Sequence, residues 1–365
     1  MEPRKIRRKL DVTLVTPAFL GGADQSGEWR VPPFKALLRQ WYRVAVAKEC
    51  GYDYKAVRER EGWLLGHAWL SSGEGAAAAS SRVRLSLGKW HPGQMDSFQA
   101  GGHRVRHPEV TSPNGREMPI DPALYLGYGP LVYNRDAGGT SLKKPPALAA
   151  GSKNLLGVES PAGAQGIAEA IDLLGSLGAV GGRSRNGWGS IHVRSELSDD
   201  LAAGRAVRLL AWSRPLRDCL RLEWPHALGL DERGLLVWRS HSDRASWDQV
   251  MKELAEVKIA FRTALPLSAG RGGPFEARHL LSYPVTNHSV GRLENQARLA
   301  NQIRFKVIRM PGEKFRALVF HLPTAFPEAM GKNLTAPERA VIAGACETWR
   351  RVHAVLDQKM ERLAG

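Results

Sequence analysis

The sequence predicts an α+β fold divided between two domains, and three observations predict it. Stretches with apolar residues three and four apart, which read as helices, alternate with short stretches of strict apolar–polar alternation, which read as strands. Both halves of the 365-residue chain use this same vocabulary. A polar, small-residue stretch, Ser195–Gly204 (SELSDDLAAG), separates them and divides the chain into residues 1–198 and 199–365.

In the first half, Leu10–Thr16 (LDVTLVT) alternates and reads as a strand that Pro17 ends. Gly21 and Gly22 open a loop that runs to Arg30. Pro32 and Pro33 suit the first turn of a helix, where a missing N–H does no harm. Phe34, Leu37, Leu38, Trp41 and Ala45 then form an apolar stripe, while Lys35, Arg39 and Arg43 line another face. Ser81–Leu87 reads as a strand with Val83, Leu85 and Leu87 on one side. From His91 to about Gly163 the chain is rich in Gly and Pro and reads as long loops or an insertion, with a short ordered piece at Leu124–Val132. A helix carrying Ile167, Ile171 and Leu174 leads into GGRSRNGWG (Gly181–Gly189) and a strand at Ser190–Arg194.

In the second half, Ala206–Trp212 reads as a strand, and Trp247, Val250, Leu254, Val257 and Phe261 form a helical stripe. Gln302–Arg309 and Lys314–His321 flank a Pro311-Gly312 turn, a hairpin signal. Thr335 and Glu338 have capping-box spacing and open a last helix with Ile342, Trp349, Val352, Leu356 and Leu363 on one face. Each half mixes helices and strands in ferredoxin-like order, although the pattern does not fix strand pairing.

Composition narrows the function. Hydrophobic residues at 43% and charged residues at 24% allow an ordinary core, but 52 Lys+Arg against 36 Asp+Glu leave +16. Such a balance points to a polyanionic partner, most often nucleic acid. The basic start (Arg4, Lys5, Arg7, Arg8, Lys9) reads by default as a solvated tail, with a phosphate-contacting arm as the alternative. No apolar signal core follows it, no run reaches membrane-span length, and no membrane partner is expected. Cys50, Cys219 and Cys346 lie far apart, so neither a disulfide framework nor a zinc site is indicated, and a reducing cytoplasmic setting fits. No cofactor or metal is expected.

Two constellations carry the chemistry. In the first, Thr16 to Arg43, Gly21 and Gly22 let backbone approach a ligand, a helix N-terminus offers free N–H groups, and Arg30, Lys35, Arg39 and Arg43 add positive charge. Its plain structural reading is a tight turn before an amphipathic helix with a solvated basic face. In the second, Gly181, Gly182, Arg183, Ser184, Arg185, Asn186, Gly187 and Trp188, the glycines free the backbone to follow a strand and the arginines can neutralise phosphates or stack on bases. Trp188 can stack too, or anchor a core. No GKS or GKT ending is present, which argues against nucleotide hydrolysis.

In these residues the chain resembles the RAMP superfamily of CRISPR proteins, and within it the first Cmr subunit of type III-B effector complexes. The matching features are Thr16-Pro17, Gly21-Gly22, Arg30, the helix bearing Lys35, Arg39, Trp41 and Arg43, and the loop Gly181–Gly189. Tyr125–Pro130 (YLGYGP) and Arg298-Leu299-Ala300-Asn301 also look like family segments, while Asn186 and Asn301 depart from the residues usual there. The resemblance implies tandem ferredoxin-like (RRM-like) domains with a Gly/Pro-rich insertion in the first. It implies a place at the end of a backbone of Cmr/RAMP subunits, capping the complex near the 3′ end of the CRISPR RNA and helping to engage complementary target RNA.

Some RAMP proteins are endoribonucleases, which sets the competing expectation, and a basic scaffold that binds only proteins, using Trp41, Trp188 and Trp349 as anchors, is a third. Metal-independent cleavage needs a general base near the 2′-OH. His103 and His107 are four apart, but Gly101, Gly102 and Pro108 argue against a helix there. Asp24 stands alone in the first glycine loop and reads as a residue stabilising its own turn. The expectation is therefore a non-catalytic RNA-binding subunit.

Overall fold

The computed structural model describes residues 4–68, 78–99, 101–112, 114–136 and 138–365. Positions 100, 113 and 137 of the Gly/Pro-rich segment lie outside the described residues. The chain forms two compact units, one of residues 1–99, 127–205 and 306–313, the other of residues 100–126, 206–305 and 314–365. Among the described residues, no helix is long and apolar enough to cross a membrane.

Up to residue 205 the elements run β1 (Lys5–Leu14), α1 (Val31–Ala47), α2 (Tyr54–Leu65), β2 (Arg84–Leu87), α3 (Pro122–Gly127), β3 (Leu131–Asn134), β4 (Gly139–Leu142), β5 (Lys153–Pro161), α4 (Ile167–Leu177), β6 (Ile191–His192) and α5 (Glu196–Ala203). The sheet of the first unit has the order β2-β5-β1-β6, with every pairing antiparallel. With α1 after β1 and α4 after β5, this is the split β-α-β-β-α-β arrangement of a ferredoxin-like fold. The Gly/Pro-rich segment is inserted between β2 and β5.

Helix α1 forms as its sequence dictates. Both prolines fall in its first turn, and Phe34, Leu37, Leu38, Trp41, Tyr42 and Ala45 are buried along one face. It has no side-chain cap, no acidic residue in its first turn and no basic residue in its last. Packing, against α4 among others, therefore holds it rather than its ends.

Beyond residue 205 the elements are β7 (Ser213–Pro215), α6 (Leu216–Cys219), β8 (Leu228–Asp231), β9 (Gly234–Leu235), β10 (Val237–Arg239), α7 (Trp247–Thr263), β11 (Ile303–Met310), β12 (Lys314–His321), α8 (Glu328–Gly331), α9 (Ala336–Ala343), α10 (Ala345–Lys359) and β13 (Glu361–Arg362). Their main sheet has the order β11-β12-β10-β13. With α7 after β10 and α10 before β13, the same split arrangement appears a second time.

Five expectations need correction. The basic start is not a tail. It is the first half of β1, paired with β5 from Lys5↔Pro161 to Thr13↔Lys153, with Arg7 on Glu159 at 2.6 Å. The long-loop reading of residues 91–163 missed β5, the strand between β1 and β2. Its inward face, Asn154, Leu156, Val158 and Ser160, is half polar, which disguises the alternation.

Ser195–Gly204 is not an irregular link. Ser195 caps α5 with a capping box, and Gly204 closes it at φ 85°. Val207–Trp212 is a 3₁₀ helix rather than a strand, with Leu209 buried while Val207 and Leu210 are exposed. The last helical pattern breaks at Gly344 into α9 and α10 and stops at Lys359, so Leu363 lies beyond it.

Candidate nucleic-acid interface

The two sequence motifs meet at one end of the first unit. Where β1 ends, the Thr16 hydroxyl donates to Gly187 O (2.8 Å) and accepts from the Ser190 N–H (3.0 Å). The Gly189 N–H donates to Pro17 O (2.8 Å), and the Gly182 N–H to Phe19 O (2.9 Å). Strand exit and glycine loop are thus laced backbone to backbone.

Glycine is required where they touch. A Cβ on Gly189 (φ 63°) would lie 1.9 Å from Val180 O, and one on Gly181 (φ 86°) 2.6 Å from Phe19 O. Trp188 anchors the loop from beneath. It is fully buried, with Phe19 at 5.2 Å and Phe98 at 5.8 Å between ring centroids. Trp188 is therefore a core residue and presents no face to a base; Trp41 and Trp349 are likewise buried.

Lys306 locks both stems of the loop. Its ammonium is wholly buried and donates to Gly178 O (2.5 Å) and Ile191 O (2.6 Å), the residues just after α4 and at the start of β6. Burial pushes its pKa down to about 7. The adjacent Val307 N–H donates to the Ser190 hydroxyl at 3.0 Å. Sequence reasoning read this residue only as part of a strand; its signal is a lysine set directly between Phe305 and Val307.

The loop's cations differ in kind. Arg183 is exposed, at a left-handed φ of 58°. Its guanidinium lies 3.3 Å from where a Cβ of Gly129 would stand. Arg185 is partly buried, and desolvation alone lowers its pKa, with no ion pair to offset it among the described residues. Ser184 is half-buried, and the buried Asn186 donates its N–H to Arg183 O at 2.8 Å. Tyr128, beside Gly129, is 66% exposed. It lies within YLGYGP but the sequence reading gave it no role; its signal is an aromatic residue framed by glycines.

The first glycine loop is folded on itself. Arg30 donates to Gly21 O (2.5 Å), the Gly22 N–H to Ser26 O (2.8 Å), and a Cβ on Gly22 would press on the Glu28 carboxylate. Asp24 accepts from the Ser26 N–H (3.0 Å) and hydroxyl (2.7 Å), and these bonds hold its pKa below the usual range.

On α1 the row of three cations is divided. Arg39 donates to Glu61 (2.6 Å), Leu65 O (2.9 Å) and Gly66 O (2.7 Å), which ties α1 to the end of α2. Arg43 also holds Glu61, through Nε and, at 3.0 Å, through Nη2. Lys35 has no ion-pair partner among the described residues, and burial and the nearby Arg39 lower its pKa. Spacing alone shows the row; it does not show Glu61, buried on another helix.

The remaining candidates lie apart from the loops' backbone lacing. His103 bonds Asp248 (3.0 Å), and His107 is buried with its ring 5.6 Å from that of Tyr125. Arg298 caps its own turn through Asn295 O and Ala297 O, and Asn301 accepts from the Ile303 N–H at 3.0 Å. Among the described residues no group of three or more His, Cys, Asp or Glu side chains is placed to hold a metal.

Two ferredoxin-like units, the first bearing a glycine loop with arginines at the entry to an edge strand, define a tandem ferredoxin-like protein with a cationic loop surface. No family model matches the chain, and no curated protein matches it. Among solved structures it is similar to apo Cmr1 from Pyrococcus furiosus at 16% identity, over 93% of this chain and 96% of that one, with a TM-score of 0.42. It is also similar to a chain in the type III-B Cmr-beta complex bound to cognate target RNA and AMPPnP in the presence of ssDNA (10% identity, 96% and 100% covered, TM-score 0.48). A chain in Cmr-beta bound to cognate target RNA is a third (9% identity, 94% and 100% covered, TM-score 0.47).

Proposed function

We propose that this chain is a non-catalytic, RNA-binding subunit of a cytoplasmic type III-B CRISPR effector complex, docked on other Cmr/RAMP subunits. In this reading it caps the complex near the 3′ end of the CRISPR RNA and helps engage complementary target RNA. The observation that carries the reading is Arg185, a partly buried guanidinium with no carboxylate to neutralise it among the described residues. A desolvated, unpaired cation costs free energy in the isolated protein, and a phosphate recovers that cost. The exposed Arg183 lies against Gly129, whose chain neighbour Tyr128 is also exposed, so this part of the surface offers a phosphate contact and an aromatic face. That pairing recognises single-stranded RNA without reading its sequence.

The test is to purify the complex from its own cells, sequence the RNA it carries and map crosslinks to residues. Discrete CRISPR RNAs crosslinked near their 3′ ends to Gly181–Gly189 or Tyr128 support the reading. Heterogeneous RNA, or crosslinks elsewhere, would overturn it. RNA incubated with the pure protein in EDTA should stay intact; specific cleavage products would instead make it a nuclease.

A further inference from the structure

A cavity of about 200 Å³ opens between α1 and α2, lined by Arg39, Arg43, Tyr54, Arg58, Glu61 and His67 among others. Three guanidiniums face it, and Glu61 is the one carboxylate among its described lining residues. Arg39 is fully engaged by Glu61 and two carbonyls, so it shapes the wall. Arg43 spends only one edge on Glu61 and keeps Nη1 for a ligand. Arg58 is exposed and has no partner among the described residues. Tyr54 lies near Arg43, and its ring is 48% exposed.

We propose that this cavity is a binding site for a phosphomonoester of a nucleotide, with Arg43 and Arg58 on the phosphate and Tyr54 against the base. Against three arginines Glu61 is the one carboxylate among the described lining residues, so that lining carries net positive charge that suits an anion. Arginine forks present paired donors that match a phosphate's oxygens. Glu61 holds both arginine forks in place before the ligand arrives, which lowers the ordering cost of binding. The ligand is a free nucleotide or the phosphorylated end of an RNA; both present the same chemistry. The inference rests on the cavity alone and does not need the glycine-loop reading.

The experiment titrates the full chain calorimetrically with adenosine 5′-monophosphate, and with one short oligoribonucleotide carrying either a 5′-phosphate or a 5′-hydroxyl. Saturable binding of the mononucleotide is expected, weakened about tenfold or more by Arg58→Ala. That variant removes no hydrogen bond or ion pair among the described residues, and a thermal melt matching that of the unsubstituted chain checks that the fold is intact. If the phosphorylated oligonucleotide binds more tightly than its hydroxyl twin, and Arg58→Ala abolishes the difference, the ligand is an RNA end. If the twins bind alike while the mononucleotide saturates, the ligand is a free nucleotide. No saturable binding of mononucleotide or phosphorylated end, or affinities untouched by Arg58→Ala, overturns the proposal even where hydroxyl-ended RNA still binds through the glycine loop.

Discussion

The two units share one topology and treat arginine differently at one matching connection. In the first, the connection from α4 to the edge strand β6 is the segment Gly178–Ser190, which carries Arg183 and Arg185 with no carboxylate partner among the described residues. In the second, the equivalent step from α10 to β13 is the single residue Met360. The arginine that follows, Arg362, is held by Asp231 at 2.5 Å and Asp357 at 2.8 Å, and Arg239 by Glu361 at 3.1 Å. Arg278, 2% exposed, is clamped by Glu109. The same scaffold thus pairs its arginines at one connection and, among the described residues, leaves those at the matching connection without a carboxylate. A duplicated fold does not duplicate its loops, and in the proposed reading the loop at one connection carries the function.

The sharpest way to break this comparison is Gly189→Ala. The new Cβ meets Val180 O, and the left-handed φ adds strain. A loss of about 4 kcal/mol or more in urea unfolding is expected, together with loss of RNA binding. In the second unit, Glu109→Ala leaves the buried Arg278 guanidinium without its partner and should cost about 3 kcal/mol by the same measurement. RNA affinity should not change. Tyr128→Ala should do the reverse, weakening RNA binding by about 1–2 kcal/mol in a filter-binding titration with unfolding unchanged, since the ring is exposed.

The smallest effect is a pH dependence confined to the second unit. His321 and His353 are buried together at 2.9 Å, and burial drives both pKa values down, that of His353 to about 3. Both imidazoles are neutral when folded, whereas in the unfolded chain they take up protons near pH 6.5. The unfolded state therefore binds more protons as pH falls from about 6.5 towards 3, and stability should decline across that window. His321→Gln should flatten the decline in thermal melts recorded at successive pH values.

Much of the fold was legible in the sequence because its strongest helices carry long, regular stripes. Phe34 to Ala45 and Trp247 to Phe261 give α1 and α7 directly, and Pro311-Gly312 marks the β11–β12 turn. What was hidden had physical reasons. β5 buries Asn154, whose amide oxygen accepts from the Lys89 and Leu155 N–H groups, so its inward face is not apolar. The start of β1 looks like a tail because the carboxylate that pairs with its Lys5 and Arg7, Glu159, lies far along the chain.

The site divides in the same way. The glycine loop announces itself by composition, but the division of Lys35, Arg39 and Arg43 depends on Glu61, and the lock on the loop depends on Lys306. Both are long-range partners that no local pattern reveals.

The measurement that tests the central contrast most directly is the salt dependence of RNA affinity for two double variants side by side. Arg183→Ala with Arg185→Ala should weaken binding and reduce the slope of log affinity against log salt by about 1.4, the value for two lost phosphate contacts on a single strand. Arg233→Ala with Arg350→Ala removes two arginines that the second unit pairs with Asp357 and Glu232. That pair should leave both affinity and slope as they were. Equal losses from the two pairs would show that diffuse positive charge, and not the glycine loop, holds the RNA.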